Sequence, residues 1–308
     1  MPGIHMHTMI LAAFLEISRT VVSMCSASIL LFIIALLAAR TDIGRERGLD
    51  KVVALGNLCF AIPLAGFGAL HLAAAQGLMS MVPAYMPWRL FWAYFVGFAL
   101  LAASLSIATK IQVRWSGLLF GCMMFIFVAM MDFPGALAEP HNRINWVLLM
   151  RELSFGCGGW ILAGNALREQ GRGQVGSKLI TIGRIVVGIT AIFYGVQHFL
   201  HPANVPGVPL EKLIPDWIPG HMLISYGTGI ILLVAGVLIM LATKTRMAAT
   251  YLGTWIVALV VFIYGPILIG ALGNPSTDVK VEGINYFLDT MLFAGVILAL
   301  ASATPRSD

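Results

Sequence analysis

Apolar runs of about twenty residues recur along the whole chain, separated by short polar connections. A helix rises about 1.5 Å per residue, so each run can cross a hydrocarbon core of roughly 30 Å. Only 11% of the residues are charged, whereas soluble domains carry about 25%. The sequence therefore predicts an all-α polytopic membrane protein with about nine transmembrane helices. The predicted spans are 20–40, 52–79, 88–109, 115–131, 144–166, 179–199, 222–243, 247–271 and 284–302.

The basic residues lie in every second connection, and the connections between them contain few. This is the positive-inside pattern, which predicts cytoplasmic basic loops, an external amino terminus and a cytoplasmic carboxyl terminus in a bacterial-type inner or plasma membrane. The net charge of +5 then reflects topology, and nucleic acid is not expected as a partner. The basic residues are Arg40, Arg45, Arg47 and Lys51; Lys110 and Arg114; Arg168, Arg172, Lys178 and Arg184; and Lys244 and Arg246.

The membrane-embedded sequence occurs twice. Gly56–His71 reads GNLCFAIPLAGFGALH and Gly183–His198 reads GRIVVGITAIFYGVQH, and in both the histidine follows a glycine by three residues. Pro134 follows Pro83 by the interval that separates Pro266 from Pro215, and the pattern Ile-Asn-aromatic at Ile144 returns at Ile284. Each repeat holds four spans, an even number, so both enter the membrane from the same side. The sequence thus predicts two parallel repeats related by a pseudo-two-fold axis along the membrane normal.

The duplication gives the domain organisation. The first span stands outside it, and the apolar stretch before that span, residues 5–18, is predicted to be an interfacial or re-entrant lead-in. The predicted divisions are 1–51, the lead-in, first helix and basic loop; 52–168, the first four-helix repeat; 169–182, a basic linker; 183–303, the second repeat; and 304–308, a cytoplasmic tail.

The chain resembles the DoxX family in three consecutive features. These are a histidine near the end of one helix, a proline-rich loop, and the pattern Tyr-x-x-Gly on the next helix. The first repeat departs from the pattern at Leu72, where a phenylalanine is expected. The resemblance implies a small helical membrane module, in some relatives tied to respiratory redox chemistry. Those relatives include a subunit of a thiosulfate:quinone oxidoreductase and membrane factors linked to methylamine utilisation. The matching residues of the second repeat are Tyr194, Gly195, His198, Phe199, Pro202, Pro215, Trp217, Pro219, Tyr226 and Gly229.

The two repeated histidines, His71 and His198, admit two interpretations. As functional groups, the imidazoles would bind a quinone carbonyl, relay protons or ligate a metal or haem. As structural groups, each would donate to a carbonyl and anchor the loop that leaves the membrane. Copying of the histidine together with the loop favours the structural role.

Four ionisable residues lie toward the external ends of their spans: Asp132, Arg151, Glu152 and Asp289. A charge within a span costs roughly 2.5–3.5 kcal/mol, so it normally faces the bundle interior and is paired. Arg151 and Glu152 are adjacent and point about 100° apart, so we expect Arg151 to pair with Asp132 or Asp289 instead. The cluster is either an outward-facing pocket for a quinone head group or small polar solute, or a buried network that fixes helix register.

Two tyrosines, Tyr94 and Tyr226, lie one turn before a glycine in equivalent helices. Their hydroxyls could donate to a ligand, but interfacial tyrosines are common in membrane proteins. The external loop from His201 to His221 is predicted to be a stiff cap with a helical turn at Leu210–Leu213, which would cover a pocket or dock a partner.

Three classes of function remain. The first is a redox-associated membrane component that binds quinone or an electron-transfer partner near the outer face. The others are a non-catalytic assembly or scaffold factor and a small-solute permease. The isolated cysteines disfavour dithiol chemistry and a structural zinc site. Enzymatic activity, oligomeric state and the cofactor are left open, with quinone as the leading candidate cofactor.

Overall fold

The structure, a computed structural model, describes residues 18–306. In this part of the chain nine helices are long and apolar enough to cross a membrane, and no regular strand is present. The protein is therefore a polytopic helical membrane protein, as predicted. Apart from Ser18, the predicted lead-in at 5–18 lies outside the described residues. The helices are α1 (Arg19–Arg45), α2 (Asp50–Ala73), α3 (Arg89–Thr109), α4 (Val113–Ala138), α5 (Arg143–Glu169), α6 (Gly173–Leu200), α7 (His221–Met240), α8 (Thr245–Leu272) and α9 (Thr277–Ala303).

Several helices run past the predicted spans, because polar helical ends outside the apolar core leave no hydropathy signal. Helix α6 begins at Gly173 and α9 begins at Thr277, each several residues earlier than predicted. The prediction that the second span reaches residue 79 is wrong. Helix α2 ends at Ala73, and Ala75–Leu78 forms a separate helical turn.

Helices α4 and α8 share an irregularity. Each contains a π-helical segment, Val128–Asp132 in α4 and Val260–Tyr264 in α8. A proline lies two residues after the last residue of each segment, Pro134 in α4 and Pro266 in α8. Proline has no N–H to donate and its ring crowds the preceding turn, and the wider π register accommodates both effects.

Three pairs of residues with left-handed backbone conformation show the same spacing. The two members of each pair are as many residues apart as Pro134 and Pro266. The pairs are Trp88 and Gly220, Lys110 and Ala242, and Gln112 and Lys244. Each residue lies at or next to the end of a helix, so the chain turns between helices in the same way in both halves.

Helices α2, α5 and α9 form the centre of the bundle. In the most apolar 18-residue stretch of each helix, 72, 67 and 78% of the residues are buried, respectively. Helix α5 packs against α4, α6 and α9, whereas α9 packs against α2, α5 and α8. The last helix of each predicted repeat therefore packs against the first helix of the other repeat. Helix α1 packs on the outside of this arrangement, mainly against α2.

One end of the bundle carries the basic loops and is called here the basic face. Arginines on this face donate to carbonyl oxygens at helix carboxyl ends: Arg168 to Ala303 at 3.0 Å and Arg184 to Ile239 at 2.6 Å. These carbonyls have no partner within their own helices, and a cation there also complements the helix dipole. The other end, where α5 and α9 begin, is called the opposite face.

The approach of α9 to α2 depends on Gly295. A Cβ atom at this position would lie 2.6 Å from the backbone nitrogen of Phe60 and 2.8 Å from the carbonyl carbon of Cys59. Backbone atoms cannot rotate out of the way, so a methyl group would separate the two central helices. Gly270 in α8 offers a matched control, because a Cβ there meets nothing within 4 Å.

We expect Gly295→Ala to lower the free energy of unfolding by about 1–3 kcal/mol, the usual cost of overpacking. Gly270→Ala should leave it unchanged or raise it slightly, because alanine favours helix over glycine. Reversible unfolding in mixed detergent micelles measures both. Equal effects of the two substitutions would contradict the close α2–α9 contact.

Candidate functional site

Arg151 of α5 lies at the centre of an ion-paired cluster between the two central helices α5 and α9. Its Nη1 atom donates to Oδ2 of Asp289 at 2.9 Å. The side chain of Arg151 is 20% exposed and that of Asp289 is 8% exposed, so the pair is largely withdrawn from solvent and lipid. The expected pairing of Arg151 with Asp289 is confirmed.

Arg151 and Glu152 were not expected to be ideal partners, yet the two side chains do pair. Both Nη2 and Nε of Arg151 donate to Oε1 of Glu152, at 2.8 and 3.2 Å. The arginine side chain is long enough for its guanidinium to turn back across the helix surface, and its fork of donors reaches two carboxylates in different directions. One guanidinium thus serves both acidic groups.

Asp132, at the end of the π segment of α4, is not paired with Arg151. The guanidinium is already engaged by Glu152 and Asp289. Asp132 is nevertheless close enough to interact electrostatically with both Arg151 and Glu152. Its Oδ2 atom is buried and has no hydrogen-bond partner among residues 18–306.

The cluster therefore carries more acid than base, since two carboxyl groups are paired with one guanidinium and a third, that of Asp132, lies nearby without pairing with it. Burial of an uncompensated carboxylate is costly, so such a cluster requires a proton, a cation or hydrogen-bond donors from another molecule. This excess is the main electrostatic property of the site.

The two repeated histidines share one contact and differ in the other. Nδ1 of His71 donates to the carbonyl oxygen of Phe67 at 2.9 Å, and Nδ1 of His198 donates to that of Tyr194 at 2.6 Å. Nε2 of His198 accepts a hydrogen bond from the Gly207 amide at 2.9 Å. Nε2 of His71 has no partner in the described part of the chain, and His71 is close enough to Glu152 to interact electrostatically. His198 therefore anchors the loop, whereas the described part of the chain offers Nε2 of His71 no corresponding contact.

The loop between α6 and α7 is inserted into the opposite face of the bundle. Val205 and Val208 are only 2% and 1% exposed. Tyr264 of α8 donates to the carbonyl oxygen of Pro206 at 3.0 Å, and Tyr286 of α9 accepts from the amide of Lys212 at 3.0 Å. Burial of the two valines and these hydrogen bonds therefore fix the loop in the bundle.

The helical turn predicted at Leu210–Leu213 is wrong. Leu213 forms an antiparallel bridge with Asn204, and the Val205 amide donates to the Lys212 carbonyl at 2.8 Å. Arg143 additionally binds the carbonyls of Pro209 and Leu210. These partners satisfy the backbone in an extended form.

The predicted ligand residues Tyr94 and Tyr226 lie away from the cluster. They are 40% and 37% exposed on the flank of the bundle, and Tyr226 packs against Phe199 at a ring separation of 5.8 Å. The structure thus brings Arg151, Glu152 and Asp289 into direct contact and places Asp132 and His71 within electrostatic range of Glu152. It leaves out Tyr94, Tyr226 and His198.

Two buried tyrosines near the cluster were not predicted as part of it. Tyr194 of α6 donates to the Val147 carbonyl at 3.3 Å and packs against Phe293 at 5.3 Å. Tyr264 fixes the loop. The sequence could have indicated Tyr264 as the counterpart of Asp132. Tyr264 lies two residues before Pro266, just as Asp132 lies two residues before Pro134.

Comparison with known proteins identifies no relative. No family model, curated protein or solved structure matches the chain. The resemblance to DoxX proteins accordingly remains a prediction from the sequence. Among residues 18–306, no group of three or more His, Cys, Asp and Glu side chains is arranged to hold a metal ion.

The shared guanidinium predicts unequal effects of two substitutions. Arg151→Met leaves two carboxylates without a partner, and breaking a buried pair in this way costs about 3–5 kcal/mol. Asp289→Asn should cost clearly less, because Arg151 keeps Glu152 and the amide oxygen can still accept from Nη1. Unfolding in mixed micelles compares the two variants, and equal losses would contradict the shared arrangement.

Proposed function

We propose that this protein is a redox-associated component of a bacterial-type inner membrane that binds a quinone in the cluster of Asp132, Arg151, Glu152 and His71. The observation that carries the proposal is the incomplete pairing of this cluster. The Oδ2 atom of Asp132 is buried without a partner among residues 18–306. Buried polar groups are nearly always satisfied, so a partnerless carboxylate oxygen beside an ion pair favours a bound ligand over a purely structural network.

The composition of the cluster suits a ligand that exchanges protons. A quinone takes up two protons when it is reduced and releases them when it is oxidised. Arg151, held in place by Asp289, would donate to a quinone oxygen, and Glu152 or His71 would exchange protons with the aqueous phase at the opposite face. The excess of carboxyl groups supplies the proton acceptors that this exchange needs.

Electrons would enter or leave through a partner protein at the opposite face. We also infer that the two halves are parallel repeats, supported by the recurrence of the π segments, prolines and left-handed residues at one interval. A scaffold factor and a small-solute permease are the alternatives.

The test separates loss of ligand donors from loss of an ion pair. Arg151→Lys keeps the charge but removes the forked donors, whereas Arg246→Lys makes the same change in the Arg246–Asp50 pair, 2.6 Å long, on the basic face. Charge-assisted hydrogen bonds contribute about 1.5–3 kcal/mol. We therefore expect quinone affinity to fall roughly 10–100-fold in Arg151→Lys, with no change in Arg246→Lys.

The measurement is mass spectrometry of quinone extracted from protein purified in mild detergent, followed by titration with an added quinone. Wild-type protein that carries only bulk phospholipid and binds no added quinone would refute the proposal and leave the scaffold and permease alternatives. Equal retention by Arg151→Lys and wild type would show that Arg151 does not contact the ligand.

The proposed orientation has its own test. In a variant without the native cysteines, single cysteines are placed at Arg47 and Arg172 on the basic face and at Tyr85 and His141 on the opposite face, all exposed. An impermeant maleimide applied to intact spheroplasts should label the second pair and spare the first. Labelling of the basic face would reverse the orientation and place the site toward the cytoplasm.

A further inference from the structure

The surroundings of His71 and His198 correspond closely in the two halves. A Cβ atom added at Gly97 of α3 would lie 3.0 Å from Cβ of His71, and one added at Gly229 of α7 would lie 3.1 Å from Cβ of His198. Both glycines are thus pressed against the histidine of the neighbouring helix. The two imidazoles therefore leave their helices in the same setting and point to corresponding places in their repeats.

In the second repeat this place is filled by the inserted loop. The Gly207 amide donates to Nε2 of His198, and the Tyr264 hydroxyl donates to the Pro206 carbonyl. Gly207 also lies against α9, because a Cβ there would be 3.1 Å from the Thr290 methyl group. The Pro206–Gly207 segment thus fills the space between α6, α8 and α9.

In the first repeat the counterparts of both anchors have no partner. His71 corresponds to His198, and Asp132 corresponds to Tyr264, since each is the last residue of its π segment. Nε2 of His71 and Oδ2 of Asp132 lack hydrogen-bond partners within residues 18–306. Both lie within electrostatic range of Glu152, so they border the same acidic region.

The chemistry of the two unpartnered atoms specifies what can fill this place. A carbonyl oxygen can only accept, so Nδ1 of His71 must be the protonated nitrogen that donates to Phe67. In the neutral ring Nε2 is then an acceptor, and the carboxylate of Asp132 is an acceptor as well. With Asp132 ionised, a ligand that satisfies both must bring two donors.

Resting on the proposed quinone function, we propose that the first repeat binds the reduced, hydroxyl-bearing quinol in preference to the quinone. The loop of the second repeat occupies the corresponding place and stands in for the ligand there. A quinone offers only carbonyl acceptors, whereas a quinol offers two O–H donors, one for Nε2 of His71 and one for Oδ2 of Asp132. Binding of this kind stabilises the reduced form and raises the midpoint potential of the bound couple.

The test compares the affinities of decylubiquinol and decylubiquinone for full-length protein in detergent under anaerobic conditions. We expect wild type to bind the quinol at least tenfold more tightly. His71→Phe keeps a planar ring but no acceptor, so it should weaken quinol binding roughly tenfold more than it weakens quinone binding, and the preference that remains should be the part that Asp132 supplies. His71→Gln restores an acceptor oxygen and should recover part of the preference.

The outcomes distinguish this inference from the function on which it rests. Equal affinities in wild type, or tighter binding of the quinone, would overturn the quinol preference and leave the quinone site standing. An equal loss of both affinities in His71→Phe would make His71 a residue that only shapes the site, which also overturns the inference. Failure of wild type to bind either form would refute the quinone site itself, and the preference with it.

Discussion

The ion pair between Arg151 and Asp289 joins α5 to α9, and the arrangement of the other helices follows from this contact. A charge exposed to lipid costs several kcal/mol, so a helix that carries one must turn it toward the interior and find a partner there. The pair lies where the last helices of the two predicted repeats meet. Each of these helices then packs against the first helix of the other half, which places the charged residues at the centre of the bundle.

Much of the fold could be predicted because hydropathy alone determines which segments cross a membrane. All nine spans were located from apolar runs, but the helix ends were not, since the polar turns at Thr277 and Gly173 resemble loop sequence. The loop between α6 and α7 could not be predicted either. Its extended form depends on partners far away in the chain, such as Tyr286 with Lys212, and a proline-rich sequence fits several conformations.

The site was predictable to a similar degree. Intramembrane charge identified Arg151 and offered two partners, of which Asp289 is the one used. The contact with Glu152 was missed because helix geometry describes where Cβ atoms point, whereas a guanidinium reaches several ångströms beyond its Cβ atom. The different roles of His71 and His198 could not be predicted, because the sequences around the two histidines are similar. The difference is the hydrogen bond that His198 accepts from the amide of Gly207, nine residues further along the chain.

The asymmetry between the two halves gives the cluster its chemical character. The loop between α6 and α7 carries its own donor and acceptor to His198 and Tyr264, so that half of the bundle is closed by the chain itself. The loop between α2 and α3 is shorter, and α4 ends its π segment at Asp132 where α8 ends its own at Tyr264. Replacement of a phenol by a carboxylate converts a donor to the loop into an acceptor, so a segment like Pro206–Gly207 could no longer be held there through its carbonyl. In the proposed duplication, the substitution that excludes such a loop would therefore also provide an acceptor for the proposed ligand.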